Sequence, residues 1–183
     1  MSASMPGAPG KSSRRYAAVG AAIVAMAGAA LAFGAPPAMA DTVSVNYTCT
    51  GTGAPSGVTT SQITVTAPAT AAVGSTVDLQ VSLSTAQTAP IALPANGVQG
   101  QVVINLGGAS SGSVTATGLT DPSGIAAGSP VVLTGGTASV QLSNAGSVTF
   151  TPGNTTVTVS EFGATVNCAV SGTAPVAATT QVS

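Results

Sequence analysis

Thr42-Val43-Ser44-Val45-Asn46-Tyr47-Thr48-Cys49-Thr50 alternates between polar and apolar side chains at every step. Successive side chains of an extended chain point to opposite faces, so Val43, Val45, Tyr47 and Cys49 fall on one side and the Thr, Ser and Asn residues on the other. That pattern belongs to a half-buried strand. Val77, Leu79, Val81 and Leu83, set against Asp78, Gln80 and Ser82, repeat it. Nothing beyond Asp41 sustains a helical period, and the reading that follows is an all-β domain.

Working outward, further strands are expected at 62–66, 101–106, 113–119, 130–134, 138–143, 147–151, 155–160 and 164–170. Between them stand Gly- and Asn-rich breakers: 51–57, Ala95-Asn96-Gly97, Asp121-Pro122-Ser123-Gly124, Gly135-Gly136, Asn144-Ala145-Gly146 and Pro152-Gly153-Asn154. Such residues supply turn conformations, and their short, regular spacing favours antiparallel hairpins and Greek-key connections over crossover helices. Residues 41–172 are read as one β-sandwich domain and 173–183 as a flexible tail.

Cys49 lies in the first strand-like segment and Cys168 in the last, each on its apolar face with Val45 and Tyr47 or with Val166 and Val170. Two cysteines with none left over, in a chain marked for export, predict one Cys49–Cys168 disulfide formed inside the sandwich. Closing a loop of this length is worth roughly 4–5 kcal/mol in the chain-entropy model. Two buried free thiols are the alternative. A metal site is not expected, since the chain has no His and no closely spaced cysteine pair.

The export reading comes from residues 1–40. Lys11, Arg14 and Arg15 form a basic start, 17–35 an apolar stretch, and Ala38-Met39-Ala40 an A-x-A site before Asp41. Pro36 and Pro37 end a signal helix just ahead of the cut, because proline lacks an N–H and clashes with the preceding turn. Arg14-Arg15 admits a twin-arginine route beside the general secretory one. An uncleaved membrane anchor is the competing reading of the same stretch. Nothing at the C-terminal end reads as a lipid or cell-wall anchor.

Cleavage after Ala40 removes every Lys and Arg, and there is no His anywhere. What remains carries four acids, Asp41, Asp78, Asp121 and Glu161, and no cation. Electrostatic capture of nucleic acid, phosphate or an anionic membrane has no source in such a chain. Nucleophilic catalysis lacks a base to activate Ser or Thr. Paired carboxylates could still hydrolyse a glycoside, but each acid has a plainer place. Asp41 begins a terminus, Asp78 lies on a strand's polar face, Asp121 opens a D-P-S-G turn and Glu161 ends a strand. Calcium would need Asp121 with backbone carbonyls and Asp78 or Glu161, without a D-x-D-x-D run to gather them. Asn46-Tyr47-Thr48 and Asn154-Thr155-Thr156 match the N-glycosylation pattern, yet read as ordinary strand and turn residues behind a bacterial-looking leader. No catalytic residue, cofactor or metal is expected.

The strand pattern resembles immunoglobulin-like β-sandwiches, and the stretch 66–81 (TAPATAAVGSTVDLQV) is similar in cadence to repeats of bacterial surface Ig-like proteins. The antibody pattern itself is absent, for there is no Trp and the cysteines stand too far apart. Taken whole, the chain resembles the small Ala/Thr/Gly-rich secreted β-proteins of high-GC actinobacteria, many of unknown function.

The expected role is a secreted or cell-surface, non-catalytic structural or interaction domain. Its partners would be envelope or extracellular proteins or glycans, with weak self-association through uncharged strand edges as in β-augmentation. It would leave the membrane after cleavage and be released or retained at the envelope. One alternative is a small-ligand carrier resembling actinobacterial chromoprotein apoproteins, although those have two short-loop disulfides. Such a carrier would need an aromatic-lined apolar cleft of roughly 300 Å³. Another is a weak carbohydrate-binding module using Tyr47, Phe150 and Phe162, of which Tyr47 and Phe150 are expected in the core.

Overall fold

A computed structural model describes residues Ala38–Ser183. Lys11, Arg14, Arg15 and the apolar stretch of the expected signal helix lie outside the described residues.

The alternating segments are strands. They are β1 (Ala38–Gly51), β2 (Val58–Pro68), β3 (Thr70–Ala71), β4 (Thr76–Thr88), β5 (Val98–Gly108), β6 (Gly112–Thr120), β7 (Pro130–Gln141), β8 (Gly146–Val159), β9 (Ala164–Val170) and β10 (Ala178–Val182), with a 3-10 turn at Ser160–Phe162. Burial follows the period of two, as in β4, where Val77, Leu79, Val81 and Leu83 are buried and Asp78 and Gln80 are exposed. The expected cut between Ala40 and Asp41 falls inside β1, whose first residues are exposed and pair with β2 from Ala38↔Pro68 to Asp41↔Val65. Cutting there leaves the pairing from Asp41 onward in place.

All ten strands belong to one sheet, in the order β3-β10-β8-β5-β6-β7-β4-β2-β1-β9, with a further pairing between β8 and β9. That extra pairing, with β9 against β1, makes β1, β2, β4, β7, β6, β5, β8 and β9 a closed ring of antiparallel neighbours. The all-β class is as expected. The pairings run through a single sheet, however, and do not separate the two sheets of an Ig-like sandwich.

Closure is shared along β8. Its C-terminal half pairs with β9 from Thr155↔Cys168 to Val159↔Ala164, while its N-terminal half pairs with β10 from Gly146↔Val182 to Phe150↔Ala178. β10 then continues to β3 as a parallel neighbour, and the Thr180 hydroxyl donates to the Pro68 carbonyl at 2.7 Å. Residues 173–183, expected as a tail, therefore contribute a strand with Ala177, Ala178, Thr180 and Val182 buried. Its one-residue alternation is carried by Ala and Thr, which gives a weak apolar signal in sequence.

Two expected turns are bulges within long strands. The segments 130–134 and 138–143 join as β7, and 147–151 and 155–160 join as β8. β7 gains one residue over β4 between Val81↔Gly136 and Leu83↔Leu133, and β8 gains one over β5 between Val102↔Thr155 and Ile104↔Pro152. Bulges bend a strand and sharpen its twist, which lets a sheet curl round to meet its own edge. Gly118 of β6 and Gly135 of β7 carry φ near +82° and +80°. A side chain at either would meet only ordinary contacts, so the left-handed backbone is what requires glycine there. At Gly136 space is the constraint, since the Leu119 side chain fills the position a Cβ would take.

The inward faces form one core. Tyr47, Phe150, Ile63, Leu79, Ile104, Leu119, Leu133 and Leu142 are among its fully buried side chains. Each such burial contributes about 1.5–3 kcal/mol relative to exposure for the aliphatic and Phe members. Among the described residues no helix is long and apolar enough to cross a membrane.

Candidate functional site

Three places bear on function: the disulfide end of the ring, the acids, and the surface hollows.

Cys49 and Cys168 are bonded and stand directly opposite each other across the β1–β9 pair, with Cα atoms 4.0 Å apart. The bridge forms as expected from sequence, but between adjacent strands at the closing seam, not from wall to wall of a sandwich. Both residues are half-buried and point inward.

One turn of the alternation deeper lies Tyr47, only 1% exposed. Its hydroxyl donates to the Gly153 carbonyl at 2.9 Å and accepts from the Thr155 hydroxyl at 3.2 Å. Gly153 is in the β8 bulge, so the irregularity read as a turn presents its carbonyl to the buried Tyr47 phenol. Burial pushes the Tyr47 pKa above its ordinary value of 10.0, and the Thr155 hydrogen bond pulls more weakly the other way.

Between Tyr47 and the disulfide opens a hollow of about 150 Å³, lined among others by Leu83, Val131, Val157 and Val166. It has one aromatic wall and half the volume expected of a chromoprotein-type cleft. Larger hollows of about 310, 370 and 360 Å³ lie elsewhere and are lined mainly by Thr, Asn, Gln and Gly on outward faces.

Asp41 and Asp78 are not brought together, while Asp121 and Glu161 lie at the same end of the fold, Asp121 bonded to Asn96 and Val98 and Ser160, beside Glu161, to Gly97. Asp41 is exposed near the start of β1, where its carboxylate accepts the Thr42 N–H at 2.8 Å. Asp78, exposed on β4, accepts the hydroxyl of its cross-strand neighbour Ser139 at 2.6 Å. Glu161 is exposed in the 3-10 turn. Asp41 pairs with Val65 and Val65 with Val81, which places Asp41 two strands away from Asp78 and out of register with it. Among the described residues no three His, Cys, Asp or Glu side chains gather as metal ligands.

Asp121 departs from its expected role. It does open a turn, its carbonyl accepting the Gly124 N–H at 3.3 Å, but its side chain is 3% exposed. Oδ1 accepts the Val98 N–H at 2.9 Å, and the carbonyl also accepts the Asn96 N–H at 2.8 Å. The residue thereby ties the β6–β7 connection to the β4–β5 connection, which also meet through the Leu93↔Ile125 bridge. Oδ2 is buried without a hydrogen-bond partner among the described residues. Sequence reading missed this because a turn-forming Asp and a buried, loop-tying Asp look alike in one dimension.

Of the aromatics considered for sugar stacking, Tyr47 and Phe150 are in the core and Phe162 is 60% exposed. A lone exposed ring offers no stacking platform of two or more.

No protein-family model matches the chain, and comparison with curated proteins and with solved structures gave no match.

Proposed function

We propose that this chain is a secreted or envelope-retained, non-catalytic structural or interaction domain, held closed by the Cys49–Cys168 bridge. The observation that carries the reading is the use to which the chemistry-bearing groups are put. Asp121 and Tyr47 are spent on internal hydrogen bonds and both cysteines on a bond. Asp41, Asp78 and Glu161 stand exposed, with Asp41 and Asp78 two strands apart and out of register. A glycosidase-like pair of acids would need to face each other across roughly 5–10 Å of cleft. A disulfide suits an oxidising compartment, in line with the signal-like residues 1–40.

The Ig-like, Greek-key reading belongs to the same proposal in reduced form. The order β4-β7-β6-β5, with a long connection from β4 to β5, supports the Greek-key part of that reading. Closure of the ring also redirects the interaction hypothesis. β1 pairs with β9 only from Tyr47 to Gly51, so its residues 38–46 have β2 as their one strand partner among the described residues, and contact would fall on that edge, on the Thr- and Ser-rich outer faces and on the ends of the ring.

Light scattering on the purified protein, alone and mixed with envelope fractions of an exporting bacterium, tests the proposal. Self-association or retention by a protein or glycan fraction is expected. A strict monomer that ignores every fraction would overturn it.

A further inference from the structure

The hollow at the disulfide end has the makings of a small-ligand site. Its walls come from six strands of the ring, through Tyr47, Ser61, Leu83, Val131, Val157, Val166 and the Cys49–Cys168 bridge. No Asp, Glu, Lys, Arg or His lines it. Thr59, Ser61, Thr85 and Gln87 also line it, but its wall is almost wholly apolar surface, and the Tyr47 and Thr155 hydroxyls are already hydrogen-bonded to each other and onward to the Gly153 carbonyl.

Two consequences follow from that chemistry. Water needs two to four polar partners to be held in a cavity, and groups already satisfied offer few, so water is weakly bound beside these walls. A charged guest would lose its hydration without meeting a counter-charge, which is costly. An uncharged apolar guest faces neither penalty and gains burial. A volume of about 150 Å³ sets its size, room for about one benzene ring, as in an enclosed apolar cavity of another protein, with the difference that this hollow is open to solvent on one side.

From this we infer that the chain binds small, uncharged apolar molecules, of the size of a single aromatic ring or a short branched alkane, between Tyr47 and the disulfide. The closed ring makes the site. Leu83 and Val131 come from the β4–β7 side and Val157 and Val166 from the β8–β9 side, and the disulfide holds the seam beside them.

Benzene is the probe. Titrated into the full isotopically labelled chain, it should give saturable amide shifts at Val131, Val157, Val166 and Cys168, and none at Val73 or Phe162, which are exposed elsewhere. Benzoate and benzylamine, charged rings of similar size, should bind at least about tenfold more weakly, the factor equivalent to about 1.4 kcal/mol. Val166→Trp, which fills the hollow, should weaken benzene binding at least about tenfold, while Val132→Trp on the outer face of β7 leaves it unchanged. Shifts that never saturate or map elsewhere would overturn the inference, as would charged rings binding equally well or a folded V166W protein of unchanged affinity. Should V166W fail to fold, the wild-type shift map and the charged-ring comparison decide.

Discussion

The Tyr47 hydroxyl reaches from β1 to the Gly153 carbonyl of β8 at 2.9 Å, joining the first strand of the chain to a bulge more than half the sequence away. The bond is buried, so its loss cannot be made good by bulk water. Tyr47→Phe keeps the ring and removes the donor, leaving the carbonyl unsatisfied. The expected cost is about 1–3 kcal/mol at neutral pH, read as a lower denaturant midpoint at unchanged m-value.

Alkaline pH acts on the same group. Burial raises the folded pKa above 10.0, so the neutral phenol is favoured by the fold. Its contribution is fully present below the unfolded pKa and is lost as pH rises through the folded one, because the unfolded state gives up its proton first. The described residues contain no Lys or His, and both cysteines are bonded, so no other side chain there competes in this range. Stability should hold steady from pH 7 to about 9 and then fall. Y47F should flatten that fall, as measured by urea melts across the range. An equally steep decline in Y47F would show that Tyr47 is not its cause.

Cys49 and Cys168 are separated by 119 positions and close the seam between β1 and β9. Replacing both with Ala should cost about 2–5 kcal/mol, through a freer unfolded chain and the loss of the link at the seam. Thermal or denaturant melts of the double variant and of the reduced wild type should agree. Mass analysis before and after reduction, with thiol alkylation, should show two protected sulfurs becoming reactive.

Removing 174–183 deletes β10, uncovers Val148 and Phe150 and leaves the N-terminal half of β8 without a partner on that side. An exposed, uncharged edge pairs readily with other chains. The truncated protein is expected to lose stability and to aggregate in light scattering. A monomer with an unchanged midpoint would mean that the segment is dispensable after all.

Asp121→Ala removes the acceptor for the Val98 N–H at the start of β5 and loosens the junction of two long connections. A hydrogen bond to a carboxylate carries about 1.5–3 kcal/mol, and the expected loss lies in that range. Hydrogen exchange should show the effect first at Asn96 and Val98, before any change in the β1–β2 pair.

By itself the sequence determined the strand class, the inward faces of β1, β4 and β9 and the pairing of the two cysteines. These are local or nearly forced properties. Alternation such as Val77-Asp78-Leu79-Gln80-Val81 is written residue by residue, and two cysteines have only one partner each. Strand neighbours, by contrast, are chosen by packing between distant segments, and only the tertiary structure could show that β8 divides its edge between β9 and β10. The same limit explains the bulges. Gly135 and Gly153 have the composition of turns, and only the partner strand's register reveals that the chain runs on through them. It explains Asp121 and the hollow beside Tyr47 as well, since burial of a carboxylate and the emptiness between side chains are properties of what lies opposite in space. They leave no period in the chain.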